Sequence, residues 1–579
     1  MYNRILSIIL IGFAIWANPG SLYGQEEESA DQLLIEIINT DLLVFQRLGG
    51  RELQRLIGNV VILHDSSLFF CDSAYYYQIE NRFEAFDHVR VEFPDSAVLT
   101  SERMDYDGDN RIVKAYQDVL LQDSVQDVEL RTDILTFYRN KRYGTFVGGG
   151  ELTNGENTLT SELGYYYPDQ KMAFFRENVV LKSPDYDLFT DTLAYNTETK
   201  IANFVAATRI QSGKGEILTS KGSYLTRSRL INFLERTSVK DSNFLIIADT
   251  LFYDDIYNFG EARGNVVLIQ KDSSLTVRGD YGEFDRKLNT TLITRNAVAV
   301  QTFDSDTLYV FADTLVSYLD TVEVEIAEEV DTVAADSAKT LKKVYKKEEK
   351  RIFRAYHDVE IVMNEMQGRA DSLVYLFSDS VILFYEDPVL WSDQNQLTGD
   401  TIKIWMANEQ ADSMWVGPGG FVVSQEDTIG FNQIKGRELR AKFRENELYR
   451  LHVIGNSESI YFTKNDEGGY EGMNKALSQE MLMYLDSGEV IRIKFDRSPE
   501  GTFDPIYLVL QQENKLEGMQ WRPANRPVQP AFDLFGRPLR MNESSKNQIS
   551  GLPSKAGPQK QAPKIKTEAP IQTRDQKPN

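Results

Sequence analysis

The chain has 579 residues, 42% hydrophobic and 26% charged, which is enough to bury cores and too apolar for wholesale disorder. Sixty-three Lys and Arg against 87 Asp and Glu leave a formal charge of -24, and this excludes nucleic acid as a partner, because phosphate binding rests on clustered cations. A single cysteine, Cys71, excludes an internal disulfide framework and cysteine-rich metal sites, while 31 Phe and 29 Tyr beside 12 Met favour pleated, half-buried surfaces over helical bundles.

Residues 1–24 read as a secretory signal. Arg4 supplies the positive charge, Ile5 to Trp16 the apolar run, and Ser21-Leu22-Tyr23-Gly24 a cleavage stretch before Gln25. The run is shorter than the ~20 residues of a bilayer span, with an N-terminal anchor as the alternative. No cysteine follows it to carry a lipid. The mature chain is therefore expected to be exported.

From residue 25 to 319 the chain repeats itself. A small or polar residue, an acidic residue and then apolar positions two and four further on recur as Cys71-Asp72-Ser73-Ala74-Tyr75-Tyr76, Thr132-Asp133-Ile134-Leu135-Thr136-Phe137 and Thr190-Asp191-Thr192-Leu193-Ala194-Tyr195. The pattern continues at Ala248-Asp249 and Ala312-Asp313, with weaker copies at Asp41, Glu102, Glu162, Lys221 and Asp280. The first nine intervals between these anchors are 31, 30, 31, 29, 29, 30, 28, 31 and 33 residues. After each, a second phrase places a branched residue four positions beyond a small or apolar one, as in Ala85…Val89, Ala115…Val119, Phe175…Val179 and Ala262…Val266. Alternation with period two marks strands with one buried face, two or three per unit, joined by turns such as Asp107-Gly108-Asp109-Asn110.

Residues 320–354 interrupt the pattern with an acidic half (Glu323 to Asp336) and a basic half (Lys339 to Lys350). This segment is expected to be a solvated loop or a short self-complementary excursion between two stacks. Repeats resume over 355–518, with anchors at Asp371, Asp400, Arg437 and Gln479 and the second phrase at Ala355…Val359. Residues 519–535, with Trp521 and Phe535 among prolines, form either a docking peptide or a strap packed on the chain's own last strands. The Pro-, Lys- and Gln-rich stretch 536–579 is expected to be a disordered tail.

The chemistry inventory nominates no enzyme, no cofactor and no metal site. His64, His88, His357 and His452 are scattered, and Asp105 to Asn110 imitates a calcium loop but lacks its turn glycine and its closing glutamate. The Gly148-Gly149-Gly150 run has no lysine and helix start behind it to cradle phosphate. The recurring aspartates read as turn or edge residues, and Cys71 as a small buried one.

With its Gly58-Asn59-Val60 and Gly264-Asn265-Val266 phrases, the variants Glu177-Asn178-Val179 and Ile454-Gly455-Asn456, and the Ala-Asp-x-Leu-x-Tyr strand starts, the chain resembles the OstA-like (organic solvent tolerance), LptA-like periplasmic lipopolysaccharide-transport family over roughly residues 31 to 510. The resemblance implies an all-β fold, an elongated open β-jellyroll in which tandem units form a V-shaped antiparallel stack, in one or two stacks. It also implies a periplasmic bridge, free or associated with the outer membrane, that carries lipopolysaccharide through an apolar groove and joins other β-jellyroll components by edge-strand addition. The chain is much longer than the compact bridge proteins of that family and lacks an obvious outer-membrane barrel.

Candidate groove residues are the alternating positions Tyr76, Met104, Leu135, Phe137, Tyr166, Leu193, Tyr195, Leu251, Tyr253, Phe284, Leu373 and Tyr375. To these are added the second-phrase valines Val89, Val119, Val179, Val266 and Val359. Alternation says which residues share a face and leaves open whether that face is a groove or an ordinary core. The rival reading is an exported β-solenoid scaffold with a filled core that binds proteins or glycans.

Overall fold

A computed structural model describes residues 34–541, apart from 331–339 and shorter stretches of up to four residues. The expected signal segment and the residues beyond 541 lie outside the described residues. Among the described residues, 38 strands form one sheet in which every pairing is antiparallel. The α-helical element among them is a single turn, Ile506–Val509.

The ~30-residue period has a simple origin. Strands of 11 or 12 residues follow one another as a meander, from Ser67–Tyr77 through Arg82–Glu92, Ala97–Asp107 and Ile112–Asp123 to Tyr186–Asn196. Two such strands and their turns fill one unit, and each unit advances the stack by two strand spacings, about 10 Å.

The long strands bend, most of them near the middle. The pairing register shifts there, between Ile57 and Val60, Phe70 and Ser73, Phe86 and Val89, and again in later units such as Arg263/Val266 and Tyr356/Val359. On one strand of each pair the bend is made by two consecutive left-handed residues. Examples are Gly58-Asn59 (φ +77° and +45°), Glu177-Asn178 (+63° and +53°), Gly264-Asn265 (+74° and +44°) and His357-Asp358 (+59° and +49°). Glycine and asparagine tolerate that conformation best, which is why the second phrase so often begins with them.

The facing strand supplies the anchor aspartate. Asp249 donates its backbone N–H to the Gly264 carbonyl at 2.9 Å, and its carboxylate accepts from Asn265 Nδ2 at 2.6 Å. Asn59 binds Asp41 at 2.9 Å and Asn296 binds Asp280 at 2.7 Å in the same way. The residue before the anchor is small because it points inward at the crowded bend: a Cβ on Gly279 would lie 2.5 Å from Ile293, and one on Gly399 2.5 Å from Val416. Where it is Ser or Thr, its hydroxyl donates to the carbonyl two residues on, as Ser101 does to Arg103 (3.1 Å) and Ser161 to Leu163 (3.1 Å). Thr219 does the same to Lys221 at 3.4 Å, so that unit's bend falls at Ser220, one residue before the Lys221 read from the sequence.

The bends stack into a spine with a wall of half-strands on either side. Over residues 201–254, and again over 381–444, the half-strands of the two walls pair in separate ladders. Ile201–Phe204, Gly222–Leu225, Leu230–Phe233 and Thr250–Asp254 pair in one, while Thr208–Ser212, Gly215–Thr219, Thr237–Asp241 and Phe244–Ala248 pair in the other. The side chains between the walls form two apolar clusters, one from Ile35 to Phe204 and one from Phe233 to Met483, and Ile210 packs against both.

The charged segment is regular, not an irregular loop. Strands Thr307–Val330 and Thr340–Val362 form one hairpin, and beyond Ser317 and Ile352 they pair only with each other. Its backbone register sets Glu323 opposite Lys347 and Glu328 opposite Lys342. The C-terminal segment is also ordered by the fold. Residues 514–533 run back over the outer face of one wall, and Arg537 and Arg540 beyond them bind Asp280 (2.7 Å) and Asp358 (2.6 Å). The strap therefore continues past residue 535, to where the tail was expected to begin.

Candidate lipid-binding interior

The alternating positions share one face, the one between the walls. Met104, Leu193, Tyr195, Val89, Val119, Val179, Val266 and Val359 are closed to solvent, and Tyr76, Leu135, Leu251 and Leu373 nearly so. Phe137, Tyr166, Tyr253, Phe284 and Tyr375 are half-buried. Tyr253 shares the face of Leu251 and sits opposite Ile231, its hydroxyl donating to Asn258 at 3.4 Å.

These residues pack on one another and do not line an open gutter along the whole stack. In the first units the walls meet through rings that the sequence reading did not single out. Phe69 lies 5.1 Å from Phe83 and 4.9 Å from Tyr106, and Phe83 5.2 Å from Tyr106, centroid to centroid. The Tyr106 hydroxyl is 2.7 Å from His64 Nδ1, and burial pushes its pKa well above the ordinary phenol value. Phe83 stands two residues before Ala85 of the second phrase, so the period-two pattern was enough to find it.

Where the ladders are separate over 201–254, several inward side chains are only half-buried. Ile210, Ile217 and Val239 on one wall, and Tyr224 and Ile231 on the other, all face inward and are half-buried. Polar groups inside are few and small. The buried side chains there include Ser, Thr, Asn and one His, and among the described residues no Asp, Glu, Lys or Arg. Cys71 is buried too, and burial above all pushes its thiol up to about 12, with backbone hydrogen bonds to Phe86 and Ser73 opposing. A neutral thiol in that setting is inert as a nucleophile at neutral pH.

An antiparallel stack of corner-bent strands enclosing an uncharged apolar interior belongs to the all-β, jellyroll-like class. Residues 32–191 match the family model described as OstA-like protein, so the resemblance carried by the repeated phrases is found over that segment. The same aspartate–asparagine corner at Asp249/Asn265 and Asp280/Asn296 continues that construction beyond the matched segment. Among solved structures, the chain is similar to LptH, the LptA homologous periplasmic component of the lipopolysaccharide transport device of Pseudomonas aeruginosa. The identity is 12%, over 24% of this chain and 95% of that one, with a TM-score of 0.19, and the fold statement above rests on the strands themselves. No curated protein matches the chain.

Proposed function

We propose that this protein is an exported, periplasmic bridge that binds the acyl chains of lipopolysaccharide between its two walls and passes them toward the outer membrane. The observation that carries the reading is the interior itself. Apolar side chains face inward from Ile35 to Met483, joined across the two clusters by Ile210 and interrupted by no buried charge among the described residues. An acyl chain entering such a space gains about 25 cal/mol per Å² of apolar area removed from water, and a surface without deep pockets lets it slide.

Because most lining residues touch each other, a guest must part the walls, and the segments 201–254 and 381–444, whose half-strands pair in two separate ladders, are where the walls share no strand that holds them together. The sugar and its phosphates stay in solvent or are bridged by divalent cations, since the chain carries a net charge of -24. The test is a photoreactive residue placed at Tyr195 or Tyr253 in cells. Capture of lipopolysaccharide there, and not from outward controls such as Arg209, is the expected result, and equal, background capture at both would refute it. The aromatic bridge of Phe69, Phe83 and Tyr106 favours the alternative, a filled scaffold that binds proteins or glycans, and in that case a lipophilic fluorescent probe would find no site.

A further inference from the structure

The outer face of the C-terminal wall carries a row of a different kind. Gln367, Trp391, Gln396, Val423, Gln433 and Ile460 are successive register partners across six strands, so polar and apolar side chains alternate along a line perpendicular to the strands. Each glutamine stands four residues before a repeat anchor, at Asp371, Asp400 and Arg437. The same position in the first units holds Leu68, Val98, Glu129 and Thr158. Gln396 and Gln433 are completely buried, and what covers them is the strap.

The contact is made with main chain. Gln433 donates from Nε2 to the Asn514 carbonyl (2.9 Å) and accepts at Oε1 from the Leu516 N–H (2.8 Å). Gln396 donates to the Gln520 carbonyl (2.6 Å) and accepts from the Arg522 N–H (2.7 Å). Each carboxamide thus pairs with a carbonyl and an N–H two residues apart, as an adjacent strand would. Gln367 accepts from Arg526 Nε at 2.7 Å. Side chains add orientation: Arg522 binds Asp387 (2.6 Å), Trp521 packs on Phe431 (5.5 Å between ring centroids) and Phe532 on Tyr309 (6.2 Å).

A face built only to be core would carry few and small polar groups, as the interior does. Glutamines every second strand instead make this face compatible with water when nothing lies on it, and Arg522 meets a carboxylate, Asp387, that water also solvates well. We propose that this outer face is a docking track for an extended, arginine-bearing peptide segment, and that residues 514–533 are its intrachain ligand, reversibly lifted and replaceable in trans. This inference does not depend on the lipid reading of the interior.

Two measurements test it on the full chain. In hydrogen exchange of the unaltered protein, the Leu516 and Arg522 amides should exchange at least tenfold faster than the paired amides of Glu447–Lys464; exchange only together with that strand would overturn the proposal. In the second, a fluorescent peptide of residues 514–533 is added to the chain carrying Leu516→Asp and Trp521→Asp, which dislodge the resident strap. The peptide should bind at least tenfold more tightly than to the unaltered chain, and adding Gln396→Leu and Gln433→Leu should abolish that gain. No binding, binding indifferent to the glutamines, or loss of the sheet's circular dichroism on dislodging the strap would each show the strap to be a fixed part of the core.

Discussion

Replacing Gly264 by alanine tests whether the bend, and not strand propensity, sets the architecture. Gly264 has φ +74°, and a Cβ there would lie 2.6 Å from Asp249 Oδ2. A left-handed alanine costs about 1–2 kcal/mol. Moving Asp249 aside also weakens its 2.6 Å bond with Asn265, and a charge-assisted hydrogen bond contributes roughly 1 kcal/mol or more. The expected total is about 2–3 kcal/mol. A long repeat array does not unfold in a single step, so a melting temperature would blur a local effect. The assay is hydrogen exchange at the Asp249 amide, which donates to the Gly264 carbonyl at 2.9 Å. Its protection should fall by roughly 30- to 150-fold, at about 1.4 kcal/mol per factor of ten. The mirror variant, Glu177→Gly at φ +63°, should raise protection at its own corner. If Gly264→Ala leaves the Asp249 amide unchanged, the left-handed pair does not hold the bend and the explanation of the repeat fails.

Acid should release the far end of the strap. Burial alone would raise Asp280 and Asp358, but hydrogen bonds and charge from Arg537 with Asn296, and from Arg369 and Arg540, outweigh it and hold both below the ordinary carboxylate value. A depressed folded-state pKa contributes stability that is present above the unfolded value and lost as pH falls through the folded one. Neighbouring Glu360 is raised, mainly by burial, and contributes in the opposite sense. Exchange of residues 536–541, corrected for intrinsic rates, should therefore rise as pH drops below the normal carboxylate range, and Arg540→Ala should blunt the pH dependence. Cys71, pushed up to about 12, should resist iodoacetamide at pH 8 in the folded chain and react promptly in denaturant, so fast labelling of the native protein would contradict its placement.

Local patterns were legible and long-range ones were not. The ~30-residue period, the all-β class and the shared face of Met104, Leu193 and Val266 follow from alternation with period two, which is a property of neighbouring residues. The anchor aspartates were read as turn residues, and each does serve a bend, although the partner asparagine was visible only once two strands were paired. The glutamines beneath the strap carried a signal, three times four residues ahead of an anchor, that has no meaning until residues 83 and 126 positions apart are brought together.

By itself the sequence determined that strands repeat and which side chains share a face, because those choices are made by backbone conformation and spacing within a unit. Only the tertiary structure decided that the walls pack on each other, that their strands split into separate ladders over 201–254 and 381–444, that Thr307–Val330 and Thr340–Val362 pair as one hairpin, and that residues 514–533 cover the outer face. Each of these depends on the distance between surfaces remote in the chain, and no local pattern encodes that distance.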